Sequence, residues 1–235
     1  MTKRLLLRSA GMTPLVFFSF VNMPGCTPEQ HRDYNRWHQL DHRPINLALP
    51  GVAWGDRWAR PDDYKAVGAA QGELAETDYL AMYWFREPVA QSVEAWTQLG
   101  EDSFQLGRGP IIPGVDSSML AFFRPVKGYA APRALVSAAE LPYRPNRGLH
   151  VTLTHYVEHH SLATHDRFTW HDRVLIPRLL EVEGVAGVWT FSYSHHQRHR
   201  SLTFGTERAN ETPGSMRMRL VYLEDDPLAV TGRLA

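Results

Sequence analysis

The sequence predicts an α+β fold built from two ferredoxin-like repeats, and two observations predict it. First, sliding the 235-residue chain against itself places Trp37-His38 on Trp170-His171, Pro44 on Pro177 and Gly51-Val52-Ala53 on Gly184-Val185-Ala186 at one constant offset. At the same offset Trp58 meets Phe191, Asp33 meets Asp166, and the run Val16 to Val21 meets Leu149 to Thr154. Second, the hydrophobic period in each half changes in the order strand, helix, strand, strand, which opens a βαββαβ unit.

The first strand, over 16–21, is a nearly continuous apolar run, the pattern of a strand buried on both faces. The helix that follows carries strong start signals: Thr27 to cap, Pro28 for the first helical position and Gln30 to complete a capping box. Along it Trp37, Leu40, Pro44, Leu47 and Ala48 recur at helical spacing and form the expected core stripe. Pro44 is expected to kink or tighten the last turn, and Gly51 to stop the helix. Residues 52–60 and 78–87 then read as strands, 89–106 as a second helix and 117–126 as a fourth strand, completing a first repeat over 12–127. Residues 128–147, rich in Pro, Ala, Gly and Arg, read as a connector, and a shorter second repeat covers 148–235. There Leu220 to Pro227 resembles Ala81 to Pro88, and the few residues after Pro227 are too short for both a second helix and a fourth strand. Arg4 to Arg8, or a partner chain, would fill the vacant sheet edge.

Composition narrows the function classes. Hydrophobic residues at 43% supply a packed core, and 25 Lys+Arg against 25 Asp+Glu leave no net field to draw nucleic acid or an acidic membrane. Cys26 is the single cysteine, which excludes an internal disulfide framework and fits a cytoplasmic protein. The start of the chain loosely imitates a leader, but Arg8 interrupts its apolar run and Met23-Pro24-Gly25 is a poor cleavage site.

The segment from Asp33 through Trp37-His38, Asp41-His42 and Pro44, followed by Leu49-Pro50-Gly51-Val52, resembles the helix-to-strand signature of the EthD-like dimeric α/β-barrel families. That resemblance implies antiparallel sheets packed as a dimeric-α/β-barrel-type unit, here closed by tandem duplication within one chain, with a ligand cavity between sheet and helix. Members of the superfamily include cofactor-free monooxygenases, isomerases, polyketide cyclases, lyases and haem enzymes, so the resemblance names a scaffold rather than a reaction. The second half departs from the signature: His171 matches His38, but Val174 and Leu175 stand where Asp41 and His42 would be.

The candidate catalytic residues are His42, Asp41 and His38. Histidines four apart share a helix face, and Asp41 is placed to orient an imidazole; together they suit general acid–base work near neutrality. Against this stands a purely structural role for His38, since His171 repeats it. In the strand 149–156 the apolar Val151 and Leu153 are expected to pack on the helix of Trp170, turning His150, Thr152, Thr154 and Tyr156 into the barrel interior as substrate contacts. The matching interior positions of the first half are Phe17, Ser19, Val21 and Met23, and Tyr83 and Tyr222 are expected to face the same space. No metal site is expected: His38 and His42 have ligand spacing but lack the Glu of the zinc-protease motif, and His155, His159, His160, His195, His196 and His199 complete no set. The leading expectation is a small-molecule enzyme of lyase, isomerase or cyclase type. It would act without metal or organic cofactor on a small hydrophobic or aromatic carbonyl or phenolic compound. The alternatives are a haem enzyme, which the resemblance implies through a histidine ligand, and a non-catalytic ligand-binding dimer.

Overall fold

A computed structural model describes residues 13–109, 114–197 and 211–234. The chain runs β1 (Leu15–Asn22), α1 (Pro28–Trp37), α2 (Arg43–Leu47), β2 (Val52–Ala59), α3 (Asp62–Ala66), β3 (Tyr79–Phe85), α4 (Val89–Gln105) and β4 (Asp116–Ala130). It continues as β5 (Gly148–His155), α5 (Leu162–Trp170), α6 (Ile176–Glu181), β6 (Val185–His196), β7 (Met216–Leu223) and α7 (Pro227–Leu234). The predicted capping box opens α1: the Thr27 side chain accepts from the Gln30 amide and the Gln30 side chain accepts from the Thr27 amide.

All seven strands join one antiparallel sheet in the order β2-β3-β1-β4-β6-β7-β5. The sheet is curled. Trp84 of β3 and Trp189 of β6 lie three strands apart, about 14 Å in a flat sheet, yet their rings meet edge-on at 5.6 Å. Phe18, Phe123, Phe191, Leu220 and Tyr222 fill the rest of the concave side. The convex side carries the helices: Trp96 of α4 packs on Phe17, Phe85 and Phe122, while Ile176, Leu179 and Val230 from α6 and α7 pack on Val188 and Val221.

Strand register corrects three expectations. Leu15 pairs with Phe85 and Gly148 pairs with Leu223, so the partner of Tyr83 in the second half is Val221, and Tyr222 corresponds to Trp84. Aligning Tyr83 with Tyr222 is one residue out of step, and a slip of one residue changes the face of every side chain. Tyr83 therefore sits on the convex side and Tyr222 in the concave core. The parity expected for β5 is also reversed: Val151 and Leu153 pack into the concave core, while His150, Thr152 and Thr154 face outward beneath α5. Trp170, expected to cover Val151, is 49% exposed.

Two boundaries also differ. β4 continues to Ala130, into the expected connector, because it pairs with β6 as far as Ala130 opposite Gly187. Pro125 is tolerated there because it lies at a bulge, where the ladder shifts between Pro125 and Lys127. The residues after Asp226 do form a helix, α7, held by Val230 in the core and by Asp226 accepting from the amides of Leu228 and Ala229. Arg4 to Arg8 lie outside the described residues. Among the described residues no helix is long and apolar enough to cross a membrane.

Phe191 is fully buried against Phe18, Trp84 and Trp189. Phe191→Ala is expected to cost about 3–5 kcal/mol in urea denaturation. Leu40→Ala, at a residue read from sequence as core but 72% exposed, should change stability by less than about 0.5 kcal/mol.

Candidate functional site

The local geometry begins with Pro44. In a regular helix its amide would bond to the Leu40 carbonyl, but proline has no N–H and its ring crowds that carbonyl. The chain widens instead: residues His38–His42 form a π turn in which the Arg43 N–H reaches back to the His38 carbonyl. Pro177 has the same effect on His171–Leu175, where the Ile176 N–H bonds the His171 carbonyl. The expectation that Pro44 tightens the turn is thus reversed. The wide turn also rotates the buried face, so Tyr34, His38 and Asn46 point inward while Leu40 points to solvent.

Under this turn lies a cavity of about 160 Å³ between β1, β3, α1, the π turn and α4. Its walls are chiefly aromatic, from Phe17, Tyr34, Trp37, Tyr83, Trp96 and Phe104. Its polar side chains include His38 and His42 from the turn, Asn46 from α2, Ser19 and Ser117 from the sheet, Ser103 from α4, Arg108 just beyond α4, and Gln197. The ring of His42 stacks on Trp37 at 4.6 Å, stands 5.4 Å from that of His38 and meets Tyr83 edge-on at 6.3 Å. Gly55 makes room for Tyr83, because a Cβ there would fall 2.3 Å from the tyrosine ring.

Both ring nitrogens of His38 and the hydroxyl of Tyr83 are buried without a hydrogen-bond partner. His38 is 2% exposed, and burial, reinforced by the charge of Arg57, pulls its pKa down to about 2. Burial likewise brings His42 to about 4; Asp41 partly opposes this and Arg57 adds to it. Both imidazoles are therefore neutral at pH 7, each with one N–H donor and one acceptor nitrogen. Desolvation raises the Tyr83 phenol, which stays protonated. Arg57 lies over the rings of Tyr34 and Tyr79 at 5.2 and 4.6 Å and donates to the Asn35 side chain.

Of the residues chosen from sequence, His38, His42 and Tyr83 meet in this cavity. Asp41 does not touch either imidazole by a hydrogen bond; it forms a two-point ion pair with Arg108, whose carbonyl accepts from the Trp37 indole at 2.7 Å. Asp41 thus closes the end of α4 over the cavity instead of orienting a histidine. His150, Thr152 and Thr154 lie beneath α5 in the other half, and Tyr222 is sealed in the concave core. Ser19 and Phe17 do line a cavity, but on the convex side of the sheet. Sequence reading missed Trp96, although Val89, Val93, Trp96 and Gly100 recur along α4 at helical spacing and announce its buried face. Arg57 and Arg108 carry no sequence signal, since their partners come from distant segments. His199 lies outside the described residues, and among those described no three His, Cys, Asp or Glu side chains gather as a metal site would need.

Among solved structures, an anthrone oxidase-like protein matches 95% of this chain and 78% of its own length at a TM-score of 0.57 and 9% identity. A candidate monooxygenase of Fusobacterium nucleatum subsp. nucleatum matches 95% of this chain and 82% of its own at 0.50 and 10%. A candidate chlorite dismutase covers 95% and 84% at 0.45 and 12%. No protein-family model and no curated protein sequence matches the chain. With the curled antiparallel sheet, the likeness to the first two indicates a fold of the dimeric α/β-barrel type.

The depressed histidines make stability depend on pH with a definite sign. The unfolded chain protonates near 6.5 and the folded chain only near 4 or below, so stability is complete above about pH 6.5 and falls as the pH drops from there. His38→Leu should make the decline between pH 6.5 and 4.5 shallower by about 1.4 kcal/mol per pH unit, read from urea midpoints.

Proposed function

We propose that this chain is a small-molecule enzyme in which His42 takes a proton from a single-ring phenolic or aromatic carbonyl substrate. The observation that carries the reading is an aromatic-walled cavity into which unpartnered polar atoms of His38 and Tyr83 project beside a neutral imidazole. Buried polar atoms without partners cost stability unless something satisfies them, and a substrate oxygen is the group that would do so here. Tyr83 supplies an O–H to a carbonyl or phenolate oxygen, and neutral His38 accepts or donates according to its tautomer. The substrate proton passes to an imidazole nitrogen of His42, leaving an enolate or phenolate. Its return to another carbon completes an isomerisation, and expulsion of a leaving group completes an elimination. Asp41 acts through Arg108 as a positioning pair, not as part of the proton transfer.

Size supports the choice of substrate. An apolar cavity of about 150 Å³ accommodates benzene, and a haem macrocycle is far larger than the 160 Å³ available. A second reading, oxygenation of the same deprotonated substrate without a cofactor, is favoured by the names of the two neighbours, an oxidase-like protein and a candidate monooxygenase. The wider reading of the chain as two ferredoxin-like repeats is supported by the matched ladders and by bulges that fall alike at Val52/Trp54 and Val185/Gly187.

The test is a panel of single-ring phenols and aromatic ketones, screened for turnover under air and under nitrogen. Activity on a hit should fall about 10²–10⁴-fold in His42→Ala. The wild-type kcat/KM should hold constant through neutrality and decline below about pH 4, where His42 protonates. Full activity in His42→Ala removes His42 from the chemistry, and turnover that requires air selects the oxygenation reading.

A further inference from the structure

The second half repeats the wide turn but not the cavity lining. By strand pairing, Phe17 and Ala81 of the first cavity correspond to His150 and Arg219, and Tyr79 corresponds to Arg217. Along β7, Met216, Met218 and Leu220 point into the concave core, so Arg217 and Arg219 share the convex face about 7 Å apart. They lie opposite Thr154 and Thr152.

Among the described residues no carboxylate forms an ion pair with Arg217 or Arg219, and Asp172, the acid whose charge is felt there, is held by Lys127. Arg219 donates from Nη2 to the Thr152 hydroxyl at 3.1 Å, but the Nε of Arg217, the Nε of Arg219 and Nδ1 of His150 are buried without partners. The guanidinium of Arg217 lies over the Phe168 ring at 4.3 Å, so one face is covered and its donor edge remains for in-plane hydrogen bonds. Two half-buried like charges with idle donors are costly alone, and an oxyanion that accepts from both forks removes the cost.

We propose that the convex face of β5 and β7 beneath α5 binds the carboxylate or phosphate group of a small molecule through Arg217, Arg219 and His150. The site is separate from the aromatic cavity and does not rest on the reading given to it. His171, the first residue of the wide turn, is near enough to Arg219 to feel its charge.

Thermal unfolding of the full chain in inorganic phosphate or benzoate, against chloride at equal ionic strength, tests this. At least one of the two anions should raise Tm saturably and move the imidazole NMR signals of His150 and His171. The double variant Arg217→Gln/Arg219→Gln should lose the response, while His42→Ala should keep it. If the double variant does not fold, Arg219→Lys serves instead and should bind about tenfold more weakly, because a lysine cannot present the guanidinium fork. The proposal is overturned if neither anion exceeds chloride in wild type, or if the folded variants respond as wild type does.

Discussion

The constraint on which the molecule depends is the aromatic filling of its curled sheet. Phe18, Trp84, Phe123, Trp189 and Phe191 contact one another across strands that a flat sheet would hold far apart. The concave side is thereby filled by a core of buried aromatic and aliphatic side chains. The helices cross the convex side. Both the aromatic cavity and the cationic face lie there, on opposite halves of the same sheet.

On that side a single covalent feature sets the details. A proline without an amide hydrogen sets a wide turn at the same place in each half, and in the first half the turn lowers the His38 imidazole into the protein. In the first half the sheet beneath is lined by phenylalanine, serine and alanine, so a cavity remains and His38 and His42 are desolvated. In the second half arginines rise from the sheet, and the space becomes polar. One backbone device thus serves two different chemical surroundings, decided by what β1 and β3 carry against what β5 and β7 carry.

Much of the scaffold was legible in the sequence. The capping box at Thr27, the ungapped match from the first strand through the helix, and the order of the elements could each be read from residue types and periods. His38, His42 and Tyr83, three of the candidates read from the sequence, line the aromatic cavity together. Faces were read less well. The β5 row was turned to the wrong side because both sides of the sheet are buried, so alternation alone cannot say which side is concave. Tyr222 was displaced by one residue because two tyrosines invited alignment where the ladder places a tyrosine on a tryptophan. Leu40 falls on the core stripe of a 3.6-residue period, but the π turn has a longer period and turns it to solvent.

By itself the sequence determined the order of strands and helices, the start of α1 and the presence of two histidines on one side of a turn, since all of these follow from contacts between near neighbours in the chain. Tertiary structure alone decided that Asp41 pairs with Arg108, that Arg57 lies over the Tyr34 ring, and that burial keeps the His42 imidazole neutral well below neutral pH. Each of those depends on groups tens of residues apart being brought into one low-dielectric place. The sign of a pKa shift is a property of that place, which no local pattern encodes.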